Sequence, residues 1–178
     1  MDSEVAAAVG ARLRATRQAR DLSVGALAAR AGVGKGSLSE IENGVRNPTL
    51  GTLYALAGAL DVPLATLLAD RPGVEVASPG IGARLLDATH HADGTTVEVY
   101  LLHLDVGARH RSPAHGLGVV EHLLVTHGHA LAGRPGQESA VGPGETAVWE
   151  SSAEHGYTVL GDAPVEAVLT IRSPAHVT

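Results

Sequence analysis

Hydrophobic and polar positions follow two different periods along this chain of 178 residues. Up to about residue 70, apolar residues recur every three or four positions, which is the period of an amphipathic helix. From Gly80 onward they tend to alternate with polar residues in short runs, which is the period of a half-buried strand. The change of period predicts a helical segment followed by an all-β segment.

The helical segment divides into five predicted helices. The first occupies about 5–19, and the second follows Ser23, whose hydroxyl can accept from an otherwise unpaired backbone N–H. Gly32 can take the left-handed conformation that ends a helix. A third short helix follows, then an amphipathic fourth in "NPTLGTLYALAGAL", and Pro63 suits the first turn of a short fifth helix. The glycine turn between the second and third helices predicts a helix-turn-helix arrangement.

The β segment predicts a barrel or sandwich. Two strand-like runs flank Asp93-Gly94, which is a strong hairpin signal. Further short runs follow, separated by glycine and proline at regular spacing. The two prolines and two glycines of "DRPGVEVASPG" indicate a joint, so we expect domains at 1–70 and 81–178 with a linker at 71–80.

Composition narrows the chemistry. The chain has no cysteine, so any metal must be held by His, Asp or Glu. Only four aromatic side chains are present, which argues against binding of single-stranded nucleic acid by base stacking. No basic leader followed by an apolar run and no apolar run of membrane-spanning length occurs, so a cytoplasmic protein is expected.

Charge separates the two segments. Residues 1–72 carry eight basic and seven acidic side chains, whereas residues 73–178 carry five basic and twelve acidic ones. All ten histidines lie in the second part, and five of them fall within "HRSPAHGLGVVEHLLVTHGH" at 110–129. The β segment therefore carries the candidate metal chemistry, while the helical segment is nearly neutral.

The helical segment resembles the DNA-binding domain of the Xre (phage-repressor-like) family over residues 5–69. The resemblance rests on a spaced set of residues: Leu27, Ala28, Ala31, Gly32, Val33, Leu38, Ile41, Glu42, Gly44, Pro48, Leu53 and Leu60. It implies an all-α five-helix domain whose third helix, about Lys35 to Glu42, enters the major groove of duplex DNA.

The same resemblance implies which residues face DNA. On the third helix, Lys35 can donate to guanine and Glu40 can accept from a cytosine amine, while Arg46 suits phosphate contacts. The full expected set is Ser23, Lys35, Gly36, Ser37, Ser39, Glu40, Asn43, Arg46 and Asn47. The alternative is that Lys35 and Glu40 are ordinary solvated helix residues.

Glu42 is expected to pair with Arg17 of the first helix and to be structural. Two positions depart from the family pattern: Val24 replaces a glutamine that usually touches DNA, and Gly34 replaces the usual capping serine. With a nearly neutral domain, these departures predict weak binding by one copy. A homodimer on a palindromic operator would compensate.

The β segment resembles the cupin family over about residues 80–173. His115, Leu117, Glu121 and Gly128 fall at the positions of the first cupin motif, and "PGETAVWESSAEHGY" resembles the second, with His155 at its histidine. The resemblance implies an all-β jelly-roll barrel in which these side chains converge.

A metal site is expected to use His115, Glu121 and His155, with Fe, Mn, Ni, Zn or Cu as the fitting ions. Leu117 stands where the family has a second histidine, so a metal-free apolar pocket for a small molecule is the competing interpretation. His103 is a possible fourth ligand, although a satisfied surface histidine is favoured there. His110 can line the pocket near its mouth.

Together the two resemblances imply a dimeric transcriptional regulator whose cupin domain binds a small-molecule effector, without catalysis. The alternative is an epoxidase- or dioxygenase-like cupin metalloenzyme with an accessory DNA-binding domain. A third interpretation, an antitoxin-like or purely oligomerising role, predicts a β domain without a pocket.

Overall fold

The computed structural model describes residues 3–68 and 71–175 and contains a helical domain followed by a β domain. The helices are α1 (Ser3–Gln18), α2 (Val24–Ala31), α3 (Lys35–Glu42), α4 (Leu50–Leu60) and α5 (Leu64–Leu67). The strands are β1 (Glu75–Ser78), β2 (Ile81–His90), β3 (Thr96–Leu104), β4 (Arg109–Ser112), β5 (Val120–His127), β6 (His129–Gly133), β7 (Ser139–Val141), β8 (Thr146–Glu150), β9 (His155–Leu160) and β10 (Val165–Ser173). Within the described ranges, no helix is long and apolar enough to cross a lipid bilayer.

Local signals set the ends of the helices. The Ser23 hydroxyl accepts from the backbone N–H of Ala26 at 3.1 Å and so caps α2, and Gly32 ends that helix with φ 65°. α3 begins after Gly34 without a side-chain cap. Pro63 precedes α5 as its N-cap, one position earlier than a first-turn residue. The five helices therefore follow the expected order, with a tight turn between α2 and α3.

A buried ion pair joins α1 to α3. Arg17 Nε and Nη2 donate to the two carboxylate oxygens of Glu42 at 2.6 and 2.8 Å, and Nη1 donates to the Leu22 carbonyl at 2.7 Å. The hydrogen bond to Glu42 raises the pKa of Arg17. Because both side chains are almost fully buried, this bidentate pair holds α3 at a defined angle to α1.

The β domain is a jelly roll of two antiparallel sheets. One has six strands in the order β1-β2-β3-β10-β5-β8, and the other has four in the order β4-β9-β6-β7. Buried side chains alternate with half-buried or exposed ones along β3 and β10, so the inner faces form the core between the sheets. The two sheets are not joined by hydrogen bonds into one closed barrel.

The expected linker at 71–80 contains a strand. β1 pairs antiparallel with the start of β2, with Glu75 opposite Arg84 and Ser78 opposite Ile81, and Val76 is buried. This pairing ties the segment into the six-stranded sheet instead of leaving it free. The proposed domain boundary at residue 70 lies outside the described residues.

Two turns position the rest of the β domain. The Asp93-Gly94 turn joins β2 and β3 as a hairpin, and the Asp93 carboxylate accepts from the Thr95 N–H at 2.9 Å. Between β5 and β6 the chain passes from the six-stranded sheet to the four-stranded one at Gly128. Gly128 has φ 74°, and a Cβ there would lie 2.2 Å from the carbonyl oxygen of Pro164, so only glycine fits this corner.

Candidate functional site

Three side chains of the β domain converge between the two sheets. His115 lies in the loop before β5, Glu121 is on β5, and His155 begins β9. One ligand atom from each lies within 4.8 Å of the others, and all three side chains are buried. In the part of the chain that the structure describes, this is the one group of three or more such residues close enough to share a metal ion.

The carboxylate of Glu121 is at the centre of this cluster. Ser151 Oγ donates to its Oε1 at 2.5 Å, and the Tyr157 hydroxyl donates to its Oε2 at 3.0 Å. Nδ1 of His115 and Nε2 of His155 lie 2.8 and 3.1 Å from Oε1, but neither contact has hydrogen-bond geometry. The two imidazole rings therefore lie close to the carboxylate, but their facing nitrogens form no hydrogen bond with it.

The backbone orients both imidazole rings. Nδ1 of His155 lies 3.1 Å from the Ala153 carbonyl and can donate to it, which turns Nε2 of the ring toward Glu121. His115 is anchored through its backbone, whose N–H donates to the Ser151 carbonyl at 2.8 Å. A histidine that is oriented through its other nitrogen is typical of a metal ligand.

Electrostatics at the cluster favour a charged carboxylate. Burial by itself would raise the pKa of Glu121, but the imidazoles of His115 and His155 outweigh it and hold that pKa well below its ordinary value. Burial would lower the pKa of His155, and the Glu121 carboxylate raises it instead. Burial raises the pKa of Tyr157 well above its ordinary value, so this phenol stays a hydrogen-bond donor.

These residues fit a divalent transition-metal ion. Two imidazole nitrogens and one carboxylate are ligands that suit Fe, Mn, Ni, Zn and Cu. Two ligand atoms each about 2.1 Å from an ion lie about 3 Å apart when they subtend a right angle, which matches the spacing of the two imidazoles from Glu121. The unsatisfied buried nitrogens supply the donor atoms that such an ion needs.

Two of the predicted residues do not join the three-residue cluster. Leu117 is 85% exposed in the loop before β5, so its side chain does not enter the cluster or dry its interior. His103 is on the outer face of β3, where its Nδ1 lies 2.5 Å from Glu166 and its Nε2 lies 3.3 Å from Asp105. The alternation of β3 turns this side chain away from the core, so His103 is not a fourth ligand.

His110 lies behind the cluster. Its ring stacks on Tyr157 with centroids 6.3 Å apart, and its Nε2 is 3.3 Å from the Ser112 hydroxyl. Burial, followed by the charges of His155 and His115, lowers its pKa. His110 therefore contacts the cluster through Tyr157, and its own nitrogens are not among the converging ligand atoms.

The helical domain closes one side of the cluster. The ring of Tyr54 in α4 stacks on His115, with centroids 4.1 Å apart and an interplanar angle of 11°. Burial raises the pKa of Tyr54 well above its ordinary value. The cavity between the domains at this point is lined by Tyr54, His115 and Glu98 among others and has a volume of about 20 Å³, which is room for about one water.

A second contact between the domains is made by Glu98 of β3. This side chain is buried, and its Oε1 accepts from the backbone N–H of Ala65 at 2.6 Å and from the Tyr100 hydroxyl at 2.7 Å. Ala65 belongs to the first turn of α5, whose N–H has no helical partner. Sequence reasoning missed both Tyr54 and Glu98, because neither has a local signal that shows where the domains meet.

An open cleft adjoins the cluster. It has a volume of about 450 Å³, and His115 forms part of its wall. Its other lining residues come from the end of the helical domain, from the loop before β5 and from the end of β10: Asp61, Val62, Pro63, Gly116, Leu117, Val119, Ser173, Pro174 and Ala175. Most of these side chains are apolar, so the cleft suits a small molecule with an apolar part.

The expected DNA-facing residues are exposed or half-buried on the helical domain. α3 buries Leu38, Ile41 and Glu42 and exposes Lys35, Gly36, Ser39 and Glu40, with Ser37 half-buried. Ser23, Asn43, Arg46 and Asn47 are also exposed.

Some of these polar side chains already bind one another. Arg46 donates to Ser37 Oγ at 3.2 Å and to Glu40 Oε2 at 3.3 Å, and Asn43 donates to the Ser39 carbonyl at 2.8 Å. In this arrangement Arg46 lies across α3, where it neutralises Glu40.

The helical domain matches a known family. Residues 13–67 match the family HTH_3, described as helix-turn-helix. The transcriptional regulator SutR of Escherichia coli K12 is 28% identical over 165 residues, which cover 91% of this chain and 93% of that protein. Residues 13–67 therefore form a helix-turn-helix domain, and over most of its length the chain is similar to a transcriptional regulator.

A solved structure has the same two-domain fold as this chain. An HTH_3 family transcriptional regulator from Vibrio cholerae superposes with a TM-score of 0.84 at 24% identity and covers 98% of this chain and 99% of that one. The β domain of this chain is also similar to a Cupin_2 domain of an XRE family transcriptional regulator from Enterobacter cloacae, with 21% identity and a TM-score of 0.48. The superposition covers 53% of this chain and 98% of that one. The first of these likenesses shows that both domains occur together in one fold.

Proposed function

We propose that this chain is a transcriptional regulator that binds a palindromic operator as a homodimer and that occupancy of the His115, Glu121 and His155 cluster sets its affinity for DNA. The observation that carries the proposal is the convergence of two unsatisfied imidazoles on a buried carboxylate, closed over by a side chain of the DNA-binding domain. In this account the cluster holds a divalent metal ion. The small-molecule effector binds in the adjoining cleft.

The exposed side of α3 supports sequence-specific binding of duplex DNA. Lys35 and Ser39 point to solvent from a helix that is held rigidly by the Arg17–Glu42 pair. In the family, this helix lies in the major groove, where an amine can donate to guanine O6 and N7. Arg46 can exchange its contact with Glu40 for a phosphate contact.

The outer face of the six-stranded sheet supports the homodimer. Leu101, Val168 and Leu124 lie directly opposite one another on β3, β10 and β5. Val99 and Val148 are the two ends of the neighbouring row, which also contains Thr170 and His122. Leu124 is 39% and Val148 is 55% exposed. An exposed apolar row on a sheet face is typical of a protein interface, and a two-fold interface would give the two recognition helices the symmetry of a palindrome.

A regulatory rather than an enzymatic role is supported by the cover over the cluster. Tyr54 stacks on His115, and the space left there by the helical domain has a volume of about 20 Å³. An organic substrate would not fit between the two domains at that point, and of the three cluster residues only His115 lines the larger adjoining cleft. We therefore propose that the metal serves binding and signalling, and not catalysis.

The metal site is tested by the metal content of protein purified without an affinity tag. We expect about one ion per chain, and loss of that ion in His155→Ala. His122→Ala is the matched control, because His122 is next to Glu121 on β5 but is exposed on the opposite face. Metal-free wild-type protein that is folded, or equal loss in both variants, would refute the site.

DNA binding is tested by selecting ligands for the full chain from random duplexes at low salt. We expect a palindromic consensus, and Lys35→Ala should weaken binding by about 1–3 kcal/mol, or about 5- to 150-fold. Arg84→Ala is the charge-matched control, because Arg84 is exposed on β2, away from α3. Failure to enrich any sequence would contradict the proposal.

A further inference from the structure

Helix α4 carries the contact between the candidate metal cluster and the DNA-binding domain. The Tyr54 ring is buried and lies parallel to the His115 imidazole at a centroid distance of 4.1 Å. The same imidazole meets His155 edge-on, with centroids 4.7 Å apart. His115 is therefore held between the metal cluster on one side and a side chain of the helical domain on the other.

One turn further along α4, Gly58 faces the same segment. A Cβ at Gly58 would lie 3.2 Å from the carbonyl oxygen of Ala114, the residue before His115. Residues four apart share a helix face, so Tyr54 and Gly58 together dock α4 against the segment that carries His115. The missing side chain at Gly58 permits this close approach.

The opposite side of α4 belongs to the core of the DNA-binding domain. Leu53, Leu56 and Leu60 are fully buried there, and α4 packs against α2. α2 leads through the Gly32 turn directly into α3. A displacement of α4 relative to His115 is thus passed through packed side chains to the helix that faces DNA, because such a core does not deform freely.

We propose that Tyr54 is the positioning residue through which occupancy of the cluster reaches the DNA-binding helix, an inference that rests on the proposed function. An ion on His115 holds the imidazole in one orientation, and the stacked phenol ring favours the placement of α4 that matches this orientation. Without an ion, Nδ1 of His115 keeps only its 2.8 Å contact with Glu121, and neither ring nitrogen has a hydrogen-bond partner. The protein with an ion in the cluster and the protein without one therefore differ in how strongly the position of the Tyr54 ring is constrained by His115.

Thermodynamic linkage makes this coupling measurable from the metal side. If metal binding changes the affinity for DNA by some factor, DNA must change the affinity for metal by the same factor. Trp149 is the single tryptophan of the chain, and its ring centroid lies 5.8 Å from that of His155. Its fluorescence should therefore report the binding of an ion to the cluster. Quenching of its fluorescence by Co²⁺ can be titrated with and without a bound duplex.

The test compares Tyr54→Leu with the matched variant Tyr54→Phe, using the full chain, Co²⁺, and a duplex selected with the wild type. Phenylalanine keeps the stacked ring, whereas leucine fills the space without one. In the wild type and in Tyr54→Phe, we expect the duplex to change the Kd for Co²⁺ at least fivefold. In Tyr54→Leu, we expect Co²⁺ to bind with unchanged stoichiometry and the duplex to leave its Kd unaltered.

Three outcomes would overturn the inference. In the first, the duplex changes the Kd of Tyr54→Leu for Co²⁺ as much as it changes that of the wild type. In the second, the wild type binds Co²⁺ but the duplex does not change its Kd. Either result would leave the metal site intact and refute only the coupling. A wild type that binds no Co²⁺ would refute the metal site itself. If Tyr54→Leu does not fold, Gly58→Ala replaces it, because a methyl group there presses on Ala114 and should reduce the same shift.

Discussion

Substitution of Glu98 tests how the helical domain and the β domain are held together. Its buried carboxylate accepts from the N–H of Ala65 in α5 and from the hydroxyl of Tyr100 on its own strand. Glu98→Ala removes both hydrogen bonds, and Glu98→Gln keeps an acceptor oxygen in the same place. The pair of variants separates the loss of hydrogen bonding from the loss of charge.

The magnitude follows from the two bonds. A hydrogen bond to a charged group contributes about 1.5–3 kcal/mol, so two such bonds contribute about 3–6 kcal/mol. Removing a buried carboxylate also relieves its desolvation, which offsets part of that loss. We therefore expect Glu98→Ala to lower the free energy of unfolding by about 2–3 kcal/mol, and Glu98→Gln to lower it by less than about 1 kcal/mol.

Urea unfolding with two probes provides the assay. Far-UV circular dichroism follows mainly the helices, and Trp149 fluorescence follows the β domain. The buried core is continuous across both domains, so the two transitions of the wild type should coincide. In Glu98→Ala, the helical transition should move to lower urea, ahead of the Trp149 transition. Coincident transitions with a loss under about 1 kcal/mol would refute this account of the domain contact.

Three further predictions concern other parts of the molecule. Glu42→Ala leaves the buried guanidinium of Arg17 without its carboxylate, and thermal or urea unfolding should show a loss of about 3–5 kcal/mol. His103 should titrate by NMR with a pKa above 6.5, because its hydrogen bond to Glu166 raises that pKa, and Glu166→Gln should lower it. The contribution of this pair to the free energy of unfolding is complete at pH values below 6.5 and is lost as the pH rises through the raised pKa. We propose a homodimer for the wild type, and Leu124→Glu should reduce its mass to that of a monomer in light scattering after size exclusion; an unchanged mass would contradict the proposed sheet interface.

The helical domain was predictable in detail because its signals are local. The cap at Ser23, the left-handed Gly32 and the apolar spacing each act within one helical turn, so the chain itself shows where α2 ends and α3 begins. The cluster was predictable for a different reason. The cupin motifs name His115 and Glu121 by their spacing, and the jelly roll brings them to a histidine from a distant strand.

The contacts between domains were not predictable in this way. Tyr54 has the pattern of a core residue of α4, and Glu98 has the pattern of a polar residue in a strand, yet each faces the other domain. The expected linker also proved to contain β1, because a Pro/Gly-rich composition does not exclude a short edge strand. Leu117 was placed by its motif position, but the loop turns its side chain outward.

We propose above that a metal ion in the His115, Glu121 and His155 cluster changes the affinity of the protein for operator DNA, and this affinity can be measured directly. The Kd for a selected operator duplex is measured with metal-loaded and with metal-stripped protein, for the wild type and for Glu121→Gln. We expect the Kd of the wild type to differ at least fivefold between its metal-loaded and metal-stripped forms, and the Kd of Glu121→Gln not to differ. Equal affinity of the loaded and stripped wild type, with the metal shown to be bound and removed, would contradict the account.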